Sequence, residues 1–295
     1  MPSVAPPQVV VYGTVCLDRF LFDAEPAAAP RDLPGGEAFN TATALAGWGA
    51  AVALVGTSLG QDAEGDALRH LLDTHPLGLP RDFLPDNPDA VTPLCTVRVA
   101  ADGERSMTGR GFRDALPPDP ALLQPLLANR PVFTADPNLR EAAEAAVLAA
   151  AEAGCPVVAM DFGETPAVVG ASRIHITSQD WLRGGELPEV ALRRWADAGA
   201  RVGIVTLGPA GGIVLDRELG LFRYEAATPS APVIDTTGAG DAFRAGLCFG
   251  LSRDWPLRTM IRFAAAAAAL HCTYVGGGSR VPLDAVMSLA GGDLS

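Results

Sequence analysis

The alternation of short apolar runs with helix-like segments constrains this chain more than any other feature. Strand-like runs lie at residues 9–15, 51–56, 132–135, 157–161, 174–176 and 202–207. Helix-like segments at 37–48, 63–72, 120–129, 141–153 and 187–198 separate them. A run that is apolar throughout suits a strand buried on both faces, and a helix between two such strands supplies the crossover that parallel pairing needs. The pattern therefore predicts an α/β fold: a mostly parallel central sheet flanked by helices. Residues 211–215 and 221–224 predict a local antiparallel pair, and 239–250, 256–270 and 283–290 close the chain as helices.

Two stretches break the rhythm, at 20–34 and 92–112, and both hold strand-and-turn material. Asp102-Gly103 between 94–100 and 104–108 is a hairpin signal. Either these are surface excursions or they meet as a small β lid, with segments at about 18–34 and 92–112, over a cleft. The chain carries no repeat and no long polar linker, so one domain over residues 1–295 is the simplest organisation.

Composition excludes several functions. All 22 basic residues are arginine, so a Gly-Lys phosphate loop and a lysine Schiff base are both impossible. The net charge of −12 and the lack of a basic stripe argue against a nucleic-acid partner. No apolar run approaches a bilayer span, and Met1-Pro2-Ser3-Val4 lacks a basic leader, so neither a membrane partner nor a signal peptide is expected. Five widely spaced cysteines without a Cys-x-x-Cys suit free thiols in the cytoplasm. The four histidines show no metal-ligand spacing.

The string Asp235-Thr236-Thr237-Gly238-Ala239-Gly240-Asp241-Ala242-Phe243 carries the most chemistry. It follows an apolar strand end and opens a helix. Gly238, Ala239 and Gly240 would leave backbone amides bare at a helix N-terminus, where the dipole adds positive character. That is a hole for a phosphate or a developing oxyanion, made without lysine. Asp241 falls in the first helical turn, which should favour its ionised form and ready it to accept a proton. A base beside an anion hole is what phosphoryl transfer to an alcohol requires. An isolated Gly-x-Gly-Asp would serve equally well as an ordinary strand-to-helix turn.

The nine-residue string resembles the C-terminal signature of the ribokinase-like carbohydrate kinases, the PfkB family. Other motifs extend the resemblance over nearly the whole chain. Gly13 and Asp18 in Tyr12-Gly13-Thr14-Val15-Cys16-Leu17-Asp18 match the family's opening strand. Gly35-Gly36-Glu37-Ala38-Phe39-Asn40 matches its Gly-Gly turn and asparagine, and Thr206-Leu207-Gly208-Pro209-Ala210-Gly211 its Thr-Leu-Gly turn. Asp62 in Gly60-Gln61-Asp62 reads as a helix cap.

The resemblance implies a ribokinase-like three-layer fold and an ATP-dependent kinase acting on a small sugar or sugar acid, with Mg2+ on the phosphates. It implies Asp241 as the base, with Asp18, Gly35, Gly36 and Asn40 on the substrate and Thr206, Gly208 and Gly211 on the nucleotide. The helix at 257–270 would leave room for adenine at its alanines 264–268. Asp235 and Thr237 match positions where relatives hold a monovalent cation such as K+; turn and cap hydrogen bonds are their other reading. A homodimer through the lid is a further expectation. The alternatives are a nucleoside kinase, with Phe20 and Phe39 as candidate base clamps, and a non-catalytic sugar or nucleotide sensor.

The sequence also departs from the family. Cys16 stands where ribokinases usually carry asparagine, and Glu37 where they carry lysine. Thr177-Ser178-Gln179-Asp180-Trp181 lacks the Asn-x-x-Glu that organises magnesium. Asp136-Pro137-Asn138-Leu139-Arg140 looks like an Asp-x-Asn-x-Arg motif one βα unit too early, and reads as a helix start. Asp161 holds the expected place. Arg105, Arg110 and Arg113 would either grip an anion or remain solvated.

Overall fold

The computed structural model describes residues 6–24, 29–79, 81, 83–100, 105–163, 165–278 and 281–292. The chain opens with β1 (Val9–Gly13), β2 (Cys16–Phe22), β3 (Arg31–Gly35), α1 (Glu37–Gly47), β4 (Val52–Gly56) and α2 (Ala63–Asp73). There follow β5 (Leu94–Val99), β6 (Arg105–Arg110), α3 (Gln124–Leu127), β7 (Val132–Ala135), α4 (Glu141–Glu152) and β8 (Val157–Met160). Then come α5 (Pro166–Ala171), β9 (Ile174–Ser178), α6 (Pro188–Ala198), β10 (Val202–Thr206), β11 (Gly212–Asp216) and β12 (Gly220–Tyr224). Helices α7 (Ala239–Leu251), α8 (Leu257–His271) and α9 (Leu283–Leu289) complete the chain.

The large sheet has the order β12-β11-β10-β9-β8-β7-β1-β4. Strands β4, β1, β7, β8, β9 and β10 run parallel, with Val9 opposite Val52 on one side and Val132 on the other. β11 and β12 add an antiparallel edge. Alternating side chains divide the core. Val9 and Val11 face α1, α7 and α8, whereas Val10 and Tyr12 face α4. Both faces are therefore apolar, as the uninterrupted strand runs predict.

A second sheet, β3-β2-β5-β6, is built from the two stretches that break the α/β rhythm. Its Asp102-Gly103 turn lies outside the described residues. The strand expected at 9–15 ends at Gly13, and Thr14 and Val15 link it to β2 of the second sheet. The cause is local: Thr14 N–H donates to Asp136 Oδ2 at 3.1 Å, and Val15 exchanges hydrogen bonds with Thr57 Oγ1. The ladder cannot continue through backbone groups engaged elsewhere. The helix expected at 120–129 shortens to a 3-10 turn and α3, with Pro125 in the first turn. Helix α5, which opens on Pro166, was not anticipated.

The α-face core centres on aromatic rings. Phe263 is fully buried, stacks on Phe249 at 5.2 Å between centroids, and receives the edges of Trp48 and Trp255. Phe263→Ala should remove this packing and cost about 3–5 kcal/mol of stability. Urea unfolding followed by circular dichroism checks it.

Candidate active site

The chemistry-bearing residues collect at the carboxyl ends of the parallel strands. β1 sends the chain to β4 on one side, while the later strands build outward from β7 on the other. Such a reversal splays the connections apart and opens a crevice beyond the strand ends. Gly13 ends β1, Asp136 follows β7, Asp161 follows β8, and Thr206 ends β10. Two cavities of about 510 Å³ each lie at this end. One is apolar and lined by Gly208, Gly211, Tyr224, Ala265 and Ala268. The other is polar and lined by Glu37, Asp161, Ser178, Asp180, Gly238 and Asp241. Thr206, Thr236, Gly240 and Phe243 border both.

Gly238 caps α7 with φ +81°, a left-handed conformation in which a side chain would also strike Gly277. The amides of Gly238, Gly240 and Asp241 find no acceptor among the described residues. The hole is narrower than expected, because Ala239 N–H bonds Thr236 O at 3.2 Å.

Asp241, only 5% exposed, accepts from Asn40 Nδ2 at 2.9 Å and from Arg244 Nη2 at 3.2 Å. Its ionised form is not favoured as the helix dipole alone would have it. Burial pushes the carboxyl up to about 7, against the lowering effects of Arg244 and Asn40. Desolvation of a carboxylate outweighs half a unit of dipole charge.

Asn40 therefore binds Asp241 directly, which leaves its Oδ1 buried and unpartnered. Asp18 lies on β2, 7% exposed, with Cys16 Sγ donating to it at 3.3 Å. Burial raises its carboxyl to about 6. Gly35 abuts this carboxyl with no room for a side chain. Gly36 caps α1 at φ +95° against Thr14 O. The Gly-Gly pair is thus required by the fold itself.

Thr206, Gly208 and Gly211 line the apolar cavity, as do Ala265, Ala268 and Ala269 of α8. Ala264 instead packs on Gly246. Asp235 uses Oδ1 on Thr237 N–H at 2.9 Å and Oδ2 on Gly276 N–H at 2.7 Å, and Thr237 O contacts His271 Nε2 at 2.8 Å. These bonds tie together the loop that carries Asp235 and Thr237. Phe20 and Phe39 are buried in the protein interior, and neither lines either of these two cavities. Arg110 pairs with Glu64 at 2.7 Å on the surface, and Arg113 is exposed. The side chain of Arg105 lies outside the description.

The cation at the site is Arg244, which the motif reading passed over. It is fully buried, bonds Thr41 Oγ1 at 2.7 Å and Glu37 O at 2.7 Å, and follows Asp241 by one helical turn. That i,i+3 spacing was the available signal. Asp136 is also more than a helix start. It caps the turn after β7, receives Thr14, and holds Asn138, whose Nδ2 reaches Glu37 Oε1 at 3.0 Å. Burial first, then the Asp136 and Asp241 carboxyls, push Glu37 well above the usual carboxylate range.

Solved structures show the fold. An Arabidopsis thaliana ribokinase complexed with ribose and ATP superposes with a TM-score of 0.81 at 22% identity, over 98% of this chain and 99% of that one. A microbiome-derived acarbose kinase gives 0.81 at 20% identity, over 97% and 99%. The fold is that of the ribokinases. The pfkB family carbohydrate kinase model matches residues 6–284, so the chain belongs to that family.

Among curated relatives, the acarbose 7(IV)-phosphotransferase of an Actinoplanes species is 45% identical over 97 residues, which is 32% of each chain. The match thus spans about a third of that relative's length. The aminoimidazole riboside kinase of Salmonella typhimurium is 29% identical over 84% of this chain and 85% of its own.

Asp18 yields a stability test. Its folded carboxyl, at about 6, lies above the ordinary value of 3.8, so the fold prefers the protonated form. That stabilisation is complete below about pH 4 and is lost as pH rises through about 6. Asp18→Asn removes the titration. Its melting temperature relative to wild type should therefore be higher near pH 7 than near pH 4, as calorimetry at the two values would register.

Proposed function

We propose that the protein transfers the γ-phosphoryl group of ATP to a hydroxyl of a small sugar or related polyol. The observation that supports this best is Asp241: a buried carboxyl beside three unpaired amides, lining the polar cavity next to Gly240, which borders both cavities. Adenine fits the apolar cavity against Ala265 and Ala268, with Thr206, Gly208 and Gly211 along it. The phosphates then point at Gly238, Gly240 and Asp241 N–H, whose dipoles complement charge that grows during transfer. The acceptor alcohol occupies the polar side, held by Asp18 and Asn40 under the small sheet, which serves as the lid.

Asp241 takes the proton of the attacking hydroxyl. With its carboxyl at about 7, it is basic enough to accept that proton and ionised enough to be ready for it. Arg244 and Asn40 orient the two oxygens. Among the described residues, no three His, Cys, Asp or Glu converge as a metal cage. The site therefore suits a hydrated Mg2+ carried on the nucleotide, with Asp161 and Asp180 on the cleft wall to bond its waters. When bound, that ion neutralises phosphate charge.

A nucleoside-like riboside is the second reading. Met107 and Trp181, 61% and 75% exposed, supply apolar surface beside the polar cavity, where Phe20 and Phe39 do not. A panel of sugars, sugar acids and nucleosides with ATP, scored by ADP release, decides among the substrates. Tight binding with no turnover on any compound would instead identify a sensor.

Asp241→Asn should lower kcat about 100- to 10,000-fold while calorimetry still detects ATP binding. In wild type, kcat/KM should climb as pH rises through about 7, because only ionised Asp241 accepts the proton. Normal turnover by the variant would remove Asp241 from the base role.

A further inference from the structure

Glu37 is left over by the reading above. Its Oε1 is held by Asn138 Nδ2 at 3.0 Å. Its Oε2 is shut off from water and has no hydrogen-bond partner, although the residue lines the polar cavity. Three positions on, Asn40 repeats the arrangement: Nδ2 is fixed on Asp241, and Oδ1 is buried with nothing to accept from. A carboxylate only accepts, so the Asn40 amide cannot turn to relieve this. Two orphaned acceptors thus sit one helical turn apart at the start of α1. Buried polar atoms without partners are destabilising, and two together mark where a donor-rich ligand belongs.

Charge narrows the ligand further. The carboxyls acting on Glu37 are Asp136, Asp241 and Asp161, and Arg244 is the one cation acting on it. Four carboxyls crowd one guanidinium at this end of the cleft, so Glu37 and Asp241 ionise together only where a further positive charge is supplied. A hydroxyl would supply a hydrogen bond but no charge. A carboxylate-bearing sugar would add to the excess. A protonated amine supplies three donors and the missing charge together.

We propose that Glu37 is a specificity-determining residue that selects an amine-bearing sugar or aminopolyol, its Oε2 receiving the ammonium group while Asp241 faces the phosphorylated hydroxyl. The inference rests on the kinase reading. One rival arrangement is internal. Arg244 Nη1 is also buried and unpartnered, and Glu37 Oε2 could close onto it instead. In that case Glu37 would stabilise the fold and select nothing.

The test measures kcat/KM for glucosamine against glucose, galactosamine against galactose, and mannosamine against mannose. N-acetylglucosamine serves as the uncharged nitrogen control. At least one amine should exceed its parent about tenfold or more, the size expected of one charge-assisted hydrogen bond. That ratio should collapse toward unity in Glu37→Gln, with ATP binding and thermal melting reporting the variant's fold. Equal use of amine and parent in every pair, or a preference that survives Glu37→Gln, overturns the proposal. The same pairs are titrated calorimetrically into both proteins. If no sugar or nucleoside releases ADP, the kinase reading fails alone, and the amine-over-parent binding ratio still decides the role of Glu37.

Discussion

The contact on which the site depends is the buried pair of Asp241 and Arg244. A guanidinium with no exposure must satisfy its N–H groups inside the protein. Arg244 does so through Nε and Nη2, on Asp241 Oδ1, Thr41 Oγ1 and Glu37 O, with only Nη1 left over, so three of its hydrogen bonds cross from α7 to the first turns of α1. Asn40 returns the tie by donating to Asp241. The N-termini of two helices that are some two hundred residues apart in sequence are thereby held in one frame. The turn at Gly238 and the turn at Gly36 are presented to the same crevice. Breaking such a pair leaves an uncompensated charge, which is why the geometry is hard to relax by degrees.

With α1 and α7 fixed, the crevice acquires a direction. Its nucleotide side presents donors: the amides of Gly238, Gly240 and Asp241. Its other side holds acceptors: Glu37 lines the polar cavity, and Asn40 Oδ1 lies buried one turn further along α1. Phosphate oxygens are acceptors and alcohol protons are donors, so each half of a phosphoryl transfer has one end that suits it. On the reading proposed, Asp241 belongs to both halves through its backbone and its side chain. Burial is the main reason Asp241 is a poor acid, and the neighbouring carboxyls add to it. Asp136 and Asp161 oppose its ionisation, Arg244 supports it, and the balance falls near neutrality.

The parts of this arrangement written in consecutive residues were legible in the sequence. The Gly35-Gly36 turn, the Gly238–Asp241 turn and the strand at Val132–Ala135 each depend on local backbone geometry. What depends on burial was not. Asp241 was expected to be ionised by its helix, and desolvation reverses that preference. Phe20 and Phe39 were candidates for contact with a substrate, but aromatic rings in an α/β core have no sequence mark that tells inward from cleft-facing. The arginines of the small sheet stand out in the sequence because they cluster. Arg244 does not, although its spacing from Asp241 is readable, because a lone arginine in an apolar helix shows its role only when α1 packs against it.

The exclusive use of arginine bears on this last point. A lysine at position 244 would lie in the same desolvated pocket, and burial lowers the pKa of an ammonium group readily. It could then pass its proton to a carboxyl held at about 7 and leave two neutral groups where a charged pair is needed. A guanidinium resists that exchange. Burial pulls its pKa down, but the Asp241 and Glu37 carboxyls more than restore it. Its Nη2 meets Thr41 Oγ1, Glu37 O and Asp241 Oδ1, and its planar fork adds a second bond from Nε to Thr41 Oγ1 that a single ammonium nitrogen would not make. A carboxyl tuned to neutrality by a neighbouring cation needs that cation to stay charged, and among side chains arginine alone does so at this depth.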